Sequence, residues 1–306
     1  MRIKPADQRC RRDDDDPRAG SLWLRGGLIA LGVSFIAFVV LLPLLAIFAE
    51  AFSKGWNTYW TAISSREARS AIGLTLLAAG IAVPLNVVFG VLAAWAITKF
   101  EFRGKQLLGT LIDLPVSISP VVGGLLFVLL YGAHGWLGPW LERHNLQIIF
   151  AAPGVVLATI FVTLPFVVRE LVPLMQLQGT DDEEAAYSLG ATGWQMFRRV
   201  TLPNVRWAWL YGVILCNARA MGEFGAASVV SGSIRGKTVT LPLHIEILFN
   251  DYNAAGAFAC ATLLTLTAGI TLALKAWAES RGAAAGNGRR SGGLIRNAGG
   301  GAAVRR

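Results

Sequence analysis

Charge is what this chain has least of. Asp, Glu, Lys and Arg make up 15% of its 306 residues, while 54% are hydrophobic and the mean hydropathy is +0.52. The uncharged residues are not scattered at helical or strand periods, as a soluble core of this size would need. They come in runs of about 18 residues or more, long enough to be membrane spans. Cysteine is scarce too: Cys10, Cys216 and Cys260 are odd in number and share no paired spacing, which argues against a disulfide frame or a thiolate metal site. His134, His144 and His244 stand alone, so no metal is expected, nor any other cofactor. No removable leader is apparent, because the first apolar run is too long for a signal-peptide core and lacks a small-residue cleavage site. The net charge of +9 could suggest nucleic acid. The positive residues lie at the two ends and between apolar runs, however, which predicts loops facing the cytoplasm, lipid as a partner and no nucleic acid.

Six apolar runs are present. They extend over Leu28 to Phe48 (with Pro43), Ala71 to Ile97 (with Pro84 and Asn86) and roughly Leu114 to Tyr131 (with Pro115 and Pro120). Next come Ile148 to Val168 (with Pro153 and Pro165), Trp207 to Val230 (crossed by Arg219 and Glu223) and Ala254 to Leu274. About 21 helical residues cover about 30 Å, enough to cross the hydrocarbon core. Proline inside such a span is tolerated where neighbouring helices or a cavity satisfy the freed carbonyls. The expected fold is therefore all-α, a polytopic membrane protein of six transmembrane helices over 26–280. With both ends inside, twenty-one Lys and Arg fall on the cytoplasmic side and six outside, with Arg219 left within a span; this bias predicts both termini cytoplasmic. Residues 1–25, with five basic residues before Asp13 to Asp16, and residues 281–306, rich in Gly, Ala, Asn and Arg, read as disordered tails.

The loop 180–203 is the most informative segment. Thr180 followed by Glu183 matches a capping box, so a helix is expected from Asp181, with four acidic residues in its first turn where the helix dipole favours them. Gly190 and Gly193 are expected to end it, and a second short amphipathic helix to run from Trp194 to Val200 before Leu202 and Pro203. Glu184-Ala185-Ala186, then Gly190, then Val200-Thr201-Leu202-Pro203 resemble the EAA loop of ATP-binding-cassette (ABC) importer permeases, with Val200 in place of the family's Ile. The resemblance implies that Glu184, Ala185, Ala186, Gly190, Leu202 and Pro203 belong to a cytoplasmic coupling helix that docks on the ATPase subunits. It also implies rigid-body alternation between inward- and outward-facing states. The implied partners are a pair of ABC ATPase subunits, a second related permease and a periplasmic sulfate-binding protein. The implied place is the bacterial inner membrane.

Substrate rests on a second resemblance. Asn217 to Ala226, Ser228 to Lys237 and Asp251-Tyr252-Asn253 are similar to the second membrane subunit of sulfate/thiosulfate importers. Molybdate permeases share Gly222-Glu223-Phe224-Gly225, so that element alone does not choose between oxyanions. From the residues themselves, Arg219 and Glu223 are four apart and hence on one helix face. They are either a pair that stabilises the span or, with Asn217, part of the anion route or gate. Ser231, Gly232, Ser233, Arg235 and Gly236 offer hydroxyls, open N–H groups and a positive charge that suit a tetrahedral dianion, and equally describe a plain outer loop.

Two enzymatic readings and one rival transporter are weighed against this. Ser231 to Thr238 nearly matches a phosphate-binding loop but begins with Ser instead of Gly and is expected to have no helix after it. An intramembrane protease would need Ser228 or Ser231 beside a histidine, and His244 follows in the same loop. A secondary transporter would need intramembrane carboxylates, for which only Glu223 and Asp113 qualify. The expectation is a transporter subunit and not an enzyme.

Overall fold

A computed structural model describes residues 21–300, with side-chain surroundings described for 26–278; these residues form helices and turns and no strand. The helices are α1 Ser21–Phe52, α2 Trp56–Ser64, α3 Arg66–Lys99, α4 Lys105–Ser117, α5 Pro120–Tyr131, α6 Gly138–Arg143 and α7 Ala152–Gln178. They continue with α8 Asp181–Ser188, α9 Gly193–Met196, a π turn Phe197–Thr201, α10 Leu202–Asn204, α11 Arg206–Met221, α12 Gly225–Val230, α13 Leu241–Asn250 and α14 Ala254–Gly300. Internal contacts divide the chain into Met1–Ile47 and Phe48–Arg306. The first unit contributes most of α1, and the packed bundle lies in the second.

Four segments are long and apolar enough to cross a membrane: Gly26–Phe52, Arg66–Lys99, Ala152–Gln178 and Ala254–Ala278. Pro43 and Pro84 sit inside α1 and α3 without ending them. The third apolar run departs from expectation. It is a pair, α4 and α5, bent by 109°. Pro120 brings no N–H and disfavours the helical region for its predecessor; Ile118 and Ser119 have ψ of 140° and 134°, and Pro120 opens α5. The fifth run is broken as well, into α11 of 16 residues and α12 of 6. The described residues thus hold four unbroken spans, five with the bent pair, and a sixth apolar run in two pieces.

The two breaks meet. A Cβ on Gly225 would lie 3.0 Å from the Pro120 ring, and one on Gly124 would lie 2.9 Å from the Ala226 carbonyl. Only glycine lets α12 approach α5 this closely. The bundle is organised around α7, which packs on α3, α11, α4, α12 and α5. Val167 of α7 is gripped between two glycines: a Cβ on Gly90 of α3 would lie 2.8 Å from its Cβ, and one on Gly212 of α11 would lie 3.3 Å from its Cα. Small residues at helix contacts are how spans pack where lipid gives no hydrophobic drive between them. One polar tie crosses the same contact, Asn86 donating to Thr163 Oγ1 (2.7 Å) and to the Ile160 carbonyl (3.0 Å).

For residues 1–20 and 301–306 the disordered-tail expectation falls outside the described residues. At 21–25 and 281–300 the structure differs from it, since α1 begins at Ser21 and α14 continues to Gly300. Proline is absent there, and Ala283 to Ala285 are strong helix formers.

Candidate functional site

The loop after α7 folds as a short two-helix projection. Gly179 (φ +67°) turns the chain out of α7 and Gly190 (φ +84°) turns it out of α8, both in the region that favours glycine. Thr180 does not form the expected capping box: its hydroxyl donates to Glu184 Oε1 at 2.7 Å. The box forms instead at Thr192 and Gln195, whose side chains each bond the other's backbone N–H. Gly193 therefore opens the second helix and does not end the first. That helix is also shorter than expected, passing at Phe197 into the π turn. Glu184, Ala185 and Gly190 are exposed, Ala186 and Leu202 are half-buried and Pro203 is exposed. Around them stand Leu189 (89% exposed), Tyr187 (74%) and Trp194 (65%), a concentration of exposed apolar surface.

Glu183 behaves differently from its acidic neighbours. It turns inward to Lys99 at the end of α3, with Nζ and Oε1 3.0 Å apart and the two side chains only 6% and 11% exposed. The same oxygen accepts from Thr201 Oγ1 at 3.1 Å, and Lys99 also donates to the Gly179 carbonyl. Beside this cluster, Phe197 of the π turn packs on Trp95 of α3, ring centroids 4.9 Å apart. Nothing in the sequence near Glu183 beyond its capping position signals Lys99 as its partner. The Thr192-x-x-Gln195 pattern was a legible signal for the true box, whereas the Lys99–Glu183 contact joins residues too far apart for any local pattern.

At the break between α11 and α12 the expected pair forms, Arg219 Nη1 to Glu223 Oε2 at 2.6 Å. Glu223 has a second role: its Oε1 accepts from Ala226 N at 2.9 Å, securing the first turn of α12. Its side chain is 2% exposed, against 30% for Arg219. Asn217, two residues before Arg219 on α11, is half-buried. Asp113, the second carboxylate weighed for ion coupling, is likewise paired, with Arg169 Nε at 2.7 Å.

The segment 231–240 lies at the opposite end of α12 from this break. Ser231 is buried and its hydroxyl accepts from Ser233 N at 3.1 Å, while Ser233 is exposed with φ +54°. Arg235 is paired with Asp251 at 2.7 Å, both groups about half exposed, so its charge is already partly neutralised. Ser70 Oγ donates to the Gly236 carbonyl and Thr75 Oγ1 accepts from Leu241 N, tying the segment to the start of α3. A helix does follow the near-match to a phosphate loop. It begins at Leu241, with Pro242 in the first turn, where a missing N–H costs nothing. Thr238, however, is buried and its hydroxyl already accepts from Ile234 N. Ser228 donates to the Gly225 carbonyl, and His244 Nε2 is buried without a hydrogen-bond partner, so neither serine engages it. Burial holds the His244 pKa below its usual 6.5, with Arg235 adding to the effect and Glu67 opposing it.

Apolar spans packed through glycine, arginine-paired carboxylates and an exposed helical projection tied to the span ends define a class, the polytopic permease subunit of a membrane transport system. The chain belongs to the family of binding-protein-dependent transport system inner membrane components, whose model matches residues 86–281. It is 58% identical over 259 residues to the sulfate transport system permease protein CysW of Escherichia coli (strain K12), covering 85% of this chain and 89% of that one. Identity is 53% over 254 residues to the protein of the same name in Synechocystis sp. (strain ATCC 27184 / PCC 6803 / Kazusa), covering 83% and 92%. It is 37% over 244 residues to the sulfate transport system permease protein CysT of Escherichia coli (strain K12), covering 78% and 88%. Among solved structures, a bacterial ABC transporter involved in the import of the acidic polysaccharide alginate superposes with a TM-score of 0.72 at 18% identity, covering 86% of this chain and 98% of that one. That likeness establishes the fold. The chain is a multi-pass inner-membrane transport component and not an enzyme.

Proposed function

We propose that this chain is the membrane-spanning subunit of an ATP-binding-cassette importer that carries sulfate or thiosulfate into the cytoplasm. The observation that carries the substrate is the 58% identity, over 85% of the chain, to a protein named as a sulfate transport permease. In this reading the chain pairs with a second, related permease and receives its anion from a periplasmic sulfate-binding protein. Two ATPase subunits drive it from the cytoplasm. Both termini are cytoplasmic in this reading, supported by the positive bias of the loops, which puts α8 and α9 on the ATPase side. Glu184, Ala185, Ala186 and Gly190 then form the contact with the ATPase, supported by their accessibility and by the apolar side chains around them. Leu202 and Pro203 connect that contact to α11. The arginine pairing of Asp113 and Glu223 speaks against ion-gradient coupling, which needs a carboxylate free to take up and release a cation.

Asn217, Arg219 and Glu223 mark the break where the anion would pass, with the Arg219 guanidinium partly accessible and Glu223 holding the break together. Ser231, Ser233 and Arg235 stand at the outer mouth. Reconstitution of this chain with its partner permease, ATPase and binding protein tests the reading. ATP-dependent uptake of labelled sulfate is expected, and uptake that persists without ATP overturns it.

A further inference from the structure

Among the side chains of α8, Glu183 alone is buried. Asp181, Asp182, Glu184, Ala185, Tyr187 and Ser188 are all exposed, so the helix has no apolar face seated on the bundle. Its two ends are glycines at positive φ, the most compliant joints a backbone offers. Its other side-chain ties, Asp182 to Asn204 (2.9 Å) and Thr180 to Glu184 (2.7 Å), are exposed and compete with water. A load applied to α8 therefore has one stiff, dehydrated route into the bundle, through the Glu183 carboxylate. Lys99 receives it at the end of α3 and simultaneously holds the Gly179 carbonyl at the end of α7. Thr201 Oγ1 brings the π turn to the same oxygen.

We propose that Lys99 and Glu183 are positioning residues that transmit displacement of α8 to α3 and α7, so that this buried ion pair converts movement of the loop into movement of the spans. The inference deepens the coupling role proposed above and rests on it. A pair that only held the fold together would, when removed, lower assembly and ATP hydrolysis together. A transmission pair separates hydrolysis from transport.

The test uses the complete transporter in liposomes, reading sulfate uptake and ATP hydrolysis on the same preparation and assembly by co-purification of the ATPase. Lys99→Met is expected to lower sulfate moved per ATP by about tenfold while hydrolysis stays within about threefold, since removing one partner strands the other buried charge. Glu183→Gln, which keeps the shape and the acceptor for Thr201, is expected to fall in the same direction. Lys99→Arg keeps the charge and is expected to keep the ratio. If Lys99→Met does not assemble, Glu183→Gln carries the test alone: in the assembled transporter a fallen ratio supports the inference and an unchanged one overturns it. An unchanged ratio in both Lys99→Met and Glu183→Gln, with Glu184→Lys still abolishing uptake, overturns the inference and leaves the coupling role standing. If Glu184→Lys also transports normally, the coupling role of the loop fails.

Discussion

At the scale of single residues, Gly90 and Gly212 hold Val167 closely between them. A side chain at 90 would place its Cβ 2.8 Å from that of Val167, and overpacking of this kind costs about 1–3 kcal/mol. Gly90→Val is accordingly expected to lower the thermal unfolding midpoint in detergent, whereas Gly80→Val, where added atoms meet nothing, should leave it nearly unchanged. His244 gives a pH prediction. Burial lowers its folded-state pKa below 6.5, so between those values the unfolded chain binds more protons than the folded one. Stability is then complete above about pH 6.5 and declines as the pH falls below it. Thermal melts at pH 7.5 and 5.5 should show that decline, and His244→Gln should flatten it. The Arg219–Glu223 pair was legible from spacing alone, because four residues is one helical turn. The cap that Glu223 gives Ala226 was not, since it exists only because the helix breaks there. The false box at Thr180 has a matching cause: Glu183 is drawn away by Lys99, 84 residues earlier in the chain, and a local pattern cannot register a distant competitor.

At the scale of elements, hydropathy located the four unbroken spans of the described residues and the bent pair, but not the breaks. Pro43, Pro84 and Pro120 look alike in a hydropathy profile, yet only Pro120 stands at a break. The difference lies in what faces the site: at Pro120 the neighbour is another break, the Gly225 end of α12, and the two irregular backbones pack on each other inside protein, where such backbone is tolerated. Gly124 makes this possible, because any side chain there would meet the Ala226 carbonyl at 2.9 Å. Gly124→Val should therefore push α12 off α5 and abolish uptake, with a lowered melting midpoint. Val122→Ala, at an exposed position of the same helix, should change neither.

At the scale of the whole molecule, composition and run length were enough to identify a polytopic helical protein. The charge bias of the loops further assigns a side to each end of the bundle. That assignment is directly measurable with membrane-impermeant thiol reagents. Ser188→Cys, on α8, should label only after the inner membrane is opened, and Ser233→Cys, in the segment before α13, should label in cells whose outer barrier alone is permeable. Cys10, outside the described residues, is replaced by Ser in both variants, and the natural Cys216 and Cys260 are buried and should contribute little background. Labelling of Ser188→Cys in sealed cells would invert the topology and remove α8 from the ATPase side.

The π turn at Phe197–Thr201 makes the loop sensitive to its own length. A π turn holds one residue more than the α-helical turn it replaces, and here that surplus lets Phe197 reach Trp95 while Thr201 reaches Glu183. Losing one residue would swing everything beyond it by about 100°, carrying Thr201 off the carboxylate and changing the face α11 offers to α7. Between 193 and 205 the chain should thus accept exchanges at exposed positions such as Arg198 and Arg199 and almost no insertion or deletion: its tolerance there is for composition, not for count.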